Sequence, residues 1–123
     1  IDLSKASILL ASLSNSQKMD PTIFHVWMNI MQRFPGSKFL IVEYAGHEVY
    51  RHHLAKEGKY YGIGEDRLIN VPQAPWIDHL FSKTAIDLVF DTISKNAHTT
   101  GLDGIWAGIP TITMASGITA TAR

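Results

Sequence analysis

The residues best suited to chemistry in this chain form one run, Asn96-Ala97-His98-Thr99-Thr100-Gly101, with Asp103 close behind. A polar stretch that opens a helix presents free backbone N–H groups and the positive end of a helix dipole, and both favour an anion. The hydroxyls of Thr99 and Thr100 can donate to phosphate oxygens, and His98 adds a further donor. Asp103, expected in the first helical turn, offers a carboxylate that could accept from ribose hydroxyls. The competing reading is that Thr99 or Thr100 merely caps the helix, because threonine is a common N-cap. Spacing alone leaves these two readings even. Lys18 follows the first apolar run and could neutralise a diphosphate; as a lone lysine it could equally be a solvated charge. His79, within Gln73-Ala74-Pro75-Trp76-Ile77-Asp78-His79, could pack on a base or be a partly buried surface histidine.

Other chemistries find less support. His47, His52 and His53 have no convincing ligand spacing and no accompanying cysteine, so a solvated helix face is expected rather than a metal site. No Asp-x-Asp pair is present to hold a metal-bound diphosphate, so charge neutralisation falls to lysine, hydroxyls and the helix start. The absence of cysteine excludes a disulfide framework and a thiolate metal site, and suits a reducing compartment. Lysine plus arginine equals aspartate plus glutamate, 11 each, which argues against a nucleic-acid polymer as partner. The apolar run Ile8-Leu9-Leu10-Ala11 is too short to span a bilayer, and no signal peptide is visible.

These groups need elements to position them. The 123 residues suffice for one domain, expected to cover residues 1–123. Apolar strands are expected at 7–13, 38–42, 67–71, 86–90 and 110–114. Between them, Asp20 as N-cap and Pro21 at the first helical position start a helix whose apolar stripe is Ile23, Phe24, Trp27, Ile30 and Met31, stopped by Pro35-Gly36. Further helices are expected over 47–56, ended near Gly58, over 76–82, and over 101–107, ended by Gly108. Strands alternating with helices predict an α/β fold, a parallel sheet covered on both faces. Ligands of such sheets sit at the carboxyl ends of the strands, where the candidate residues fall. The chain opens on a strand-like run and stops at Arg123 without a closing helix, so it is expected to be truncated, a piece of a longer protein.

From Asp87 to Arg123 the sequence resembles the C-terminal catalytic lobe of O-GlcNAc transferases. The resemblance rests on Asp87-Leu88-Val89-Phe90-Asp91-Thr92, His98-Thr99-Thr100-Gly101-Leu102-Asp103, Trp106-Ala107-Gly108-Ile109-Pro110, Thr113-Met114, Gly117 and Arg123. Weaker similarity reaches back through His79, Ala74-Pro75 and Arg67 to Trp27 and Lys18-Met19-Asp20-Pro21, so that most of the chain is covered. The resemblance implies a GT-B fold of two Rossmann-like lobes, with this chain in the C-terminal one. It implies transfer of N-acetylglucosamine from UDP-GlcNAc to serine or threonine of proteins, with inversion, without an essential metal and with no cofactor beyond the donor substrate. A tetratricopeptide superhelix would precede the lobes and recruit acceptor proteins, in the cytoplasm or nucleus and away from membranes. By position, Lys18 and the His98-Thr99-Thr100 run would hold the diphosphate, with Lys18 stabilising the leaving group. Asp103 would bind ribose, the Ala74 backbone would touch the uracil, and His79 would stack near the uridine. Asn15 stands where the family has a glutamine near the phosphates. Trp76 and Ser82 replace a family lysine beside the uracil and a family arginine, both on the base side of the donor.

Two alternatives follow. The related protein O-fucosyltransferases, which use GDP-fucose, share the fold but resemble this chain less from His98 to Gly101. A non-catalytic binding or scaffold domain derived from such an enzyme is the other, favoured by Trp76 and Ser82.

Overall fold

The computed structural model describes residues 8–46, 48–73, 75 and 84–114. Five strands form one sheet: β1 (Ile8–Ser12), β2 (Ser37–Glu43), β3 (Leu68–Pro72), β4 (Leu88–Phe90) and β5 (Thr111–Ile112). Their spatial order is β3-β2-β1-β4-β5, and every pairing is parallel. Among the described residues three α-helices accompany them, α1 (Pro21–Arg33), α2 (Glu48–Tyr60) and α3 (Thr99–Trp106). The fold is the expected Rossmann-like sheet with helices on both faces.

Side-chain alternation along the strands divides the interior into two layers. Leu10, Phe39, Ile41 and Phe90 point to one face, where they meet Ile23, Phe24, Trp27, Met28 and Met31 of α1. Trp27 stacks on Phe39 at 5.0 Å between centroids, and Phe39 on Phe90 at 6.1 Å. Leu9, Ala11, Val42 and Val89 point to the opposite face with Ile109 and, partly buried, Ala107 just after α3. The predicted stripe of α1 is recovered except at its edge: Met28 is fully buried and Ile30 only half so.

Local chemistry explains where the helices begin and end. Asp20 caps α1, its carboxylate accepting from the amides of Thr22 at 2.9 Å and Ile23 at 3.0 Å, with Pro21 in the first position. At the far end the Arg67 guanidinium donates to the carbonyls of Met31 at 2.7 Å, Phe34 at 3.0 Å and Ser37 at 3.0 Å. These include carbonyls that the last helical turn leaves without an intrahelical partner. Gly58 does not end α2, contrary to the sequence expectation. The helix runs through it because a Cβ there would meet Leu68 Cδ2 at 3.1 Å and Ile63 O at 3.2 Å: the glycine serves close approach to β3. The stop is Gly62, at φ 71°, with Ile63 N donating to Gly58 O and Gly62 N to Lys59 O, a Schellman closure. Gly108, at φ 73°, closes α3 in the same way.

Other boundaries shift by a residue or two: α3 starts at Thr99 instead of Gly101, β4 at Leu88 instead of residue 86, and β5 ends at Ile112 instead of residue 114. The loop after β1 contains a 3-10 turn over Ser16–Lys18. The short helix expected over 76–82 lies outside the described residues. None of the described helices is long and apolar enough to cross a membrane.

Replacing Arg67 with Met keeps the aliphatic stem and removes the donors at the end of α1. It is expected to destabilise the fold by about 2–3 kcal/mol, the scale of charged hydrogen bonds. Urea unfolding of the intact protein checks this, with nucleotide affinity unchanged because Arg67 lies at the amino end of β3, away from the candidate site.

Candidate functional site

The strand order reverses at β1: the chain proceeds from β1 to β2 and β3 on one side, and adds β4 and β5 on the other. The segments leaving β1 and β4 therefore diverge at the carboxyl edge and leave a crevice between them, the usual ligand position in such sheets. Lys18 lies on one wall and the start of α3 on the other.

The β1 wall begins with the 3-10 turn. Asn15 is its N-cap, with Oδ1 accepting from the Gln17 amide at 3.0 Å. Lys18 ends the turn, half-buried, and its Nζ donates to the main-chain carbonyl of Asn96 at 3.5 Å. Ser94 Oγ reaches back to the Lys18 carbonyl at 3.1 Å, and Thr92 Oγ1 lies 3.4 Å from Ser14 Oγ. The two walls are thus joined by hydrogen bonds across the reversal point.

The β4 wall is organised by Asp91, the first residue after the strand. Its Oδ1 accepts from the amides of Thr92 at 2.8 Å and Ala97 at 2.7 Å, and its Oδ2 accepts from Thr113 Oγ1 at 2.8 Å. The loop is folded onto this carboxylate and delivers the chain into α3 at a fixed point. Asn96 sits beneath it, 2% exposed, with Nδ2 donating to Thr92 O at 2.8 Å and Thr113 Oγ1 at 3.2 Å. Asn96 Oδ1 is buried without a hydrogen-bond partner among the described residues.

His98 is the N-cap of α3 and makes no side-chain capping bond. Thr99 and Thr100 are the first helical residues, so neither is the N-cap, and the capping alternative is corrected. Among the described residues the N-cap side chain does not compete for the amides at the start of α3, which are presented with the helix dipole. His98 and Thr99 are exposed and Thr100 is half-buried. The placement of Asp103 in the first turn is also corrected: with the helix starting at Thr99, it is the fifth helical residue. Thr100 and Asp103, three apart, share a helix face. Across from it, Tyr44 follows β2 and donates through its hydroxyl to Leu13 O at 3.2 Å. Burial, and next the Asp103 carboxylate, raise the Tyr44 phenol above its ordinary value, so it stays neutral.

An open cleft of about 1300 Å³ lies on the β5 side of α3 and shares part of the β4 wall. Asp91, Asn96, His98, Thr99 and Thr113 border it, but its other wall is Leu102, Ile105, Ile109 and Pro110. Lys18, Asn15, Thr100 and Asp103 do not line it. A cavity with an apolar wall and no lysine or arginine among the described residues that line it suits a diphosphate poorly. The crevice at the strand reversal, with Lys18 and the helix start, is the better candidate.

The expected residues thus divide. Asn15, Lys18, His98, Thr99, Thr100 and Asp103 all fall at the carboxyl edge around the two crevice walls. Ala74 and His79, with Trp76 and Ser82, lie outside the described residues, and so does His47. His52 and His53 are exposed on α2. Sequence reasoning gave no role to Asp91, Asn96 or Tyr44. Each stands just after a strand or in the loop that follows it, which was the available signal.

The model of glycosyl transferase family 41 matches residues 1–123. A probable UDP-N-acetylglucosamine–peptide N-acetylglucosaminyltransferase of Arabidopsis thaliana is 32% identical over 114 residues, 91% of this chain and 11% of the relative. A UDP-N-acetylglucosamine–peptide N-acetylglucosaminyltransferase of Caenorhabditis elegans is 28% identical over 110 residues, 88% of this chain and 9% of the relative. The chain therefore spans about a tenth of the length of these curated relatives. Among solved structures, a mutant O-GlcNAc transferase of Thermobaculum terrenum superposes with a TM-score of 0.83 at 21% identity, over 89% of this chain and 21% of that one. That likeness concerns the fold. With the family model matching from the first residue to the last, the chain belongs to glycosyl transferase family 41, the O-GlcNAc transferase family.

Proposed function

We propose that this chain is the donor-diphosphate-binding part of an inverting protein glycosyltransferase that moves N-acetylglucosamine from UDP-GlcNAc to serine or threonine. The observation that carries the reading is the meeting of Lys18 with the loop that opens α3, at the reversal of a parallel sheet. The names of the Arabidopsis and Caenorhabditis relatives support the sugar, the nucleotide and the peptide acceptor.

In this reading the acceptor hydroxyl oxygen attacks the anomeric carbon as the bond to the diphosphate oxygen breaks, and its proton passes to solvent or to the departing diphosphate. The electron pair of that bond passes to UDP, and negative charge grows on its β-phosphate. Preorganised donors aimed at that charge lower the barrier. Lys18 supplies a full positive charge, while the amides of Thr99 and Thr100 and their hydroxyls supply oriented dipoles. The chain's own cation and helix start serve the neutralisation that other transferases obtain from a metal. Asn15 and His98 border the phosphates and Asp103 receives the ribose hydroxyls, while the family resemblance assigns Ala74 and His79 to the uracil. The acceptor is held by the other lobe and by repeats preceding it, in the cytoplasm or nucleus.

Lys18→Ala is expected to weaken UDP binding by about 1.5–3 kcal/mol, the scale of a charge-assisted hydrogen bond. Lys59→Ala provides the reference, since Lys59 makes only an exposed ion pair with Glu65 at 3.7 Å, and pairs of that kind contribute little. Calorimetric titration of the intact protein with UDP compares them; equal effects from the two substitutions contradict the reading.

Thr100→Val removes the hydroxyl and keeps the volume. It is expected to reduce UDP affinity by about 0.5–1.5 kcal/mol with the melting temperature nearly unchanged, because Thr100 lies inside the helix and not at its cap. A large fall in melting temperature with unaltered affinity would make the hydroxyl structural.

A further inference from the structure

Lysine is a flexible way to present a charge: its ammonium ends a four-carbon stem with many rotamers. Among the described residues, Lys18 Nζ makes one hydrogen bond, to the Asn96 carbonyl at 3.5 Å. What holds that carbonyl therefore decides where the ammonium rests before a ligand arrives.

The carbonyl is fixed by its own side chain. Asn96 is 2% exposed, although Ser94, Lys95 and His98 around it are exposed. Both protons of its amide are committed, one to Thr92 O at 2.8 Å and one to Thr113 Oγ1 at 3.2 Å. Thr113 in turn commits its only hydroxyl proton to Asp91 Oδ2 at 2.8 Å, so towards Asn96 it can act solely as an acceptor. Position 96 thus requires a side chain that donates twice. An aspartate of the same shape would set oxygen against two acceptors, and an alanine would leave both without a donor.

We propose that Asn96 is a positioning residue for Lys18: its buried amide pins the main-chain carbonyl that holds the ammonium at the phosphate-facing edge. The proposal rests on the reading of Lys18 as a diphosphate ligand. An ammonium has three protons. It can keep the carbonyl and still donate to two phosphate oxygens, so the contact orients the charge without consuming it. Preorganisation of this kind raises affinity by removing the cost of ordering the side chain on binding.

A double-mutant cycle in the intact protein tests this, with UDP as the titrant in calorimetry and thermal melting as the check on folding. Asn96→Ala is expected to weaken UDP binding about threefold to tenfold when Lys18 is present. In the Lys18→Ala background the same change is expected to weaken it by less than about twofold, because the group it positions is gone. Equal losses in both backgrounds would make Asn96 merely structural and overturn the proposal, while the role of Lys18 stands. If Lys18→Ala alone leaves UDP binding unchanged, the diphosphate reading falls and the proposal with it. If Asn96→Ala fails to fold, Thr113→Val carries the same cycle, since it removes one of the two amide acceptors and leaves the loop backbone in place. It is expected to give a smaller loss that again disappears without Lys18, and a loss that persists would overturn the proposal.

Discussion

A parallel sheet whose strand order reverses at β1 leaves its chain few options, and the rest of the molecule follows from that reversal. Leu10 pairs with Leu88 and Ala11 with Val89, so β1 and β4 end side by side. The β1 chain crosses over α1 to reach β2, while the β4 chain crosses over α3 to reach β5 on the opposite side. Right-handed crossovers then put α1 and α3 on opposite faces. The two apolar layers match this, one gathering α1 and the other the end of α3. The crevice at the reversal is a consequence of topology, and the residues on its rim determine what it can hold.

Those residues are arranged by hydrogen bonds to one carboxylate. Asp91 accepts from two loop amides and one hydroxyl, and this folds residues 92–98 into a fixed approach to α3. The outcome is a helix start without a side-chain cap, facing a lysine. The relative sizes of these contributions matter for the chemistry. A helix dipole at a partly exposed end contributes roughly 0.3–1 kcal/mol towards an anion. A charge-assisted hydrogen bond contributes about 1.5–3 kcal/mol. Lys18 is therefore the larger electrostatic contribution, and the helix start chiefly supplies direction. This is why a buried asparagine that orients the lysine can matter out of proportion to its own contacts.

Much of this was legible in the residues. Asp20-Pro21 and the apolar stripe from Ile23 to Met31 announced α1, because an N-cap, a proline at the first position and a helical period all agree there. The alternation of elements gave the parallel sheet, and it put Lys18 and the His98 to Thr100 run at the carboxyl edge, where the structure has them. Gly58 misled because a glycine within a helical pattern has two meanings, a stop or a close approach, and only the position of Leu68 distinguishes them. The start of α3 was placed two residues late, since a run of polar residues looks like loop until its hydrogen bonds are known. Asp91 and Asn96 went without roles for a related reason: their partners, Ala97, Thr92 and Thr113, become neighbours only when β4 and β5 pair. Tyr44 acquires its relation to Asp103 through packing between segments far apart in sequence.

The central claim is that the crevice at the strand reversal, and not the apolar-walled cleft beside β5, receives the donor diphosphate. A crystal structure of the intact protein with UDP bound tests it most directly. The account predicts β-phosphate oxygens at about 3 Å from Lys18 Nζ and from the amides or hydroxyls of Thr99 and Thr100, the ordinary range for such hydrogen bonds. A nucleotide lying against Leu102, Ile105 and Pro110, with its diphosphate out of reach of Lys18, would contradict it.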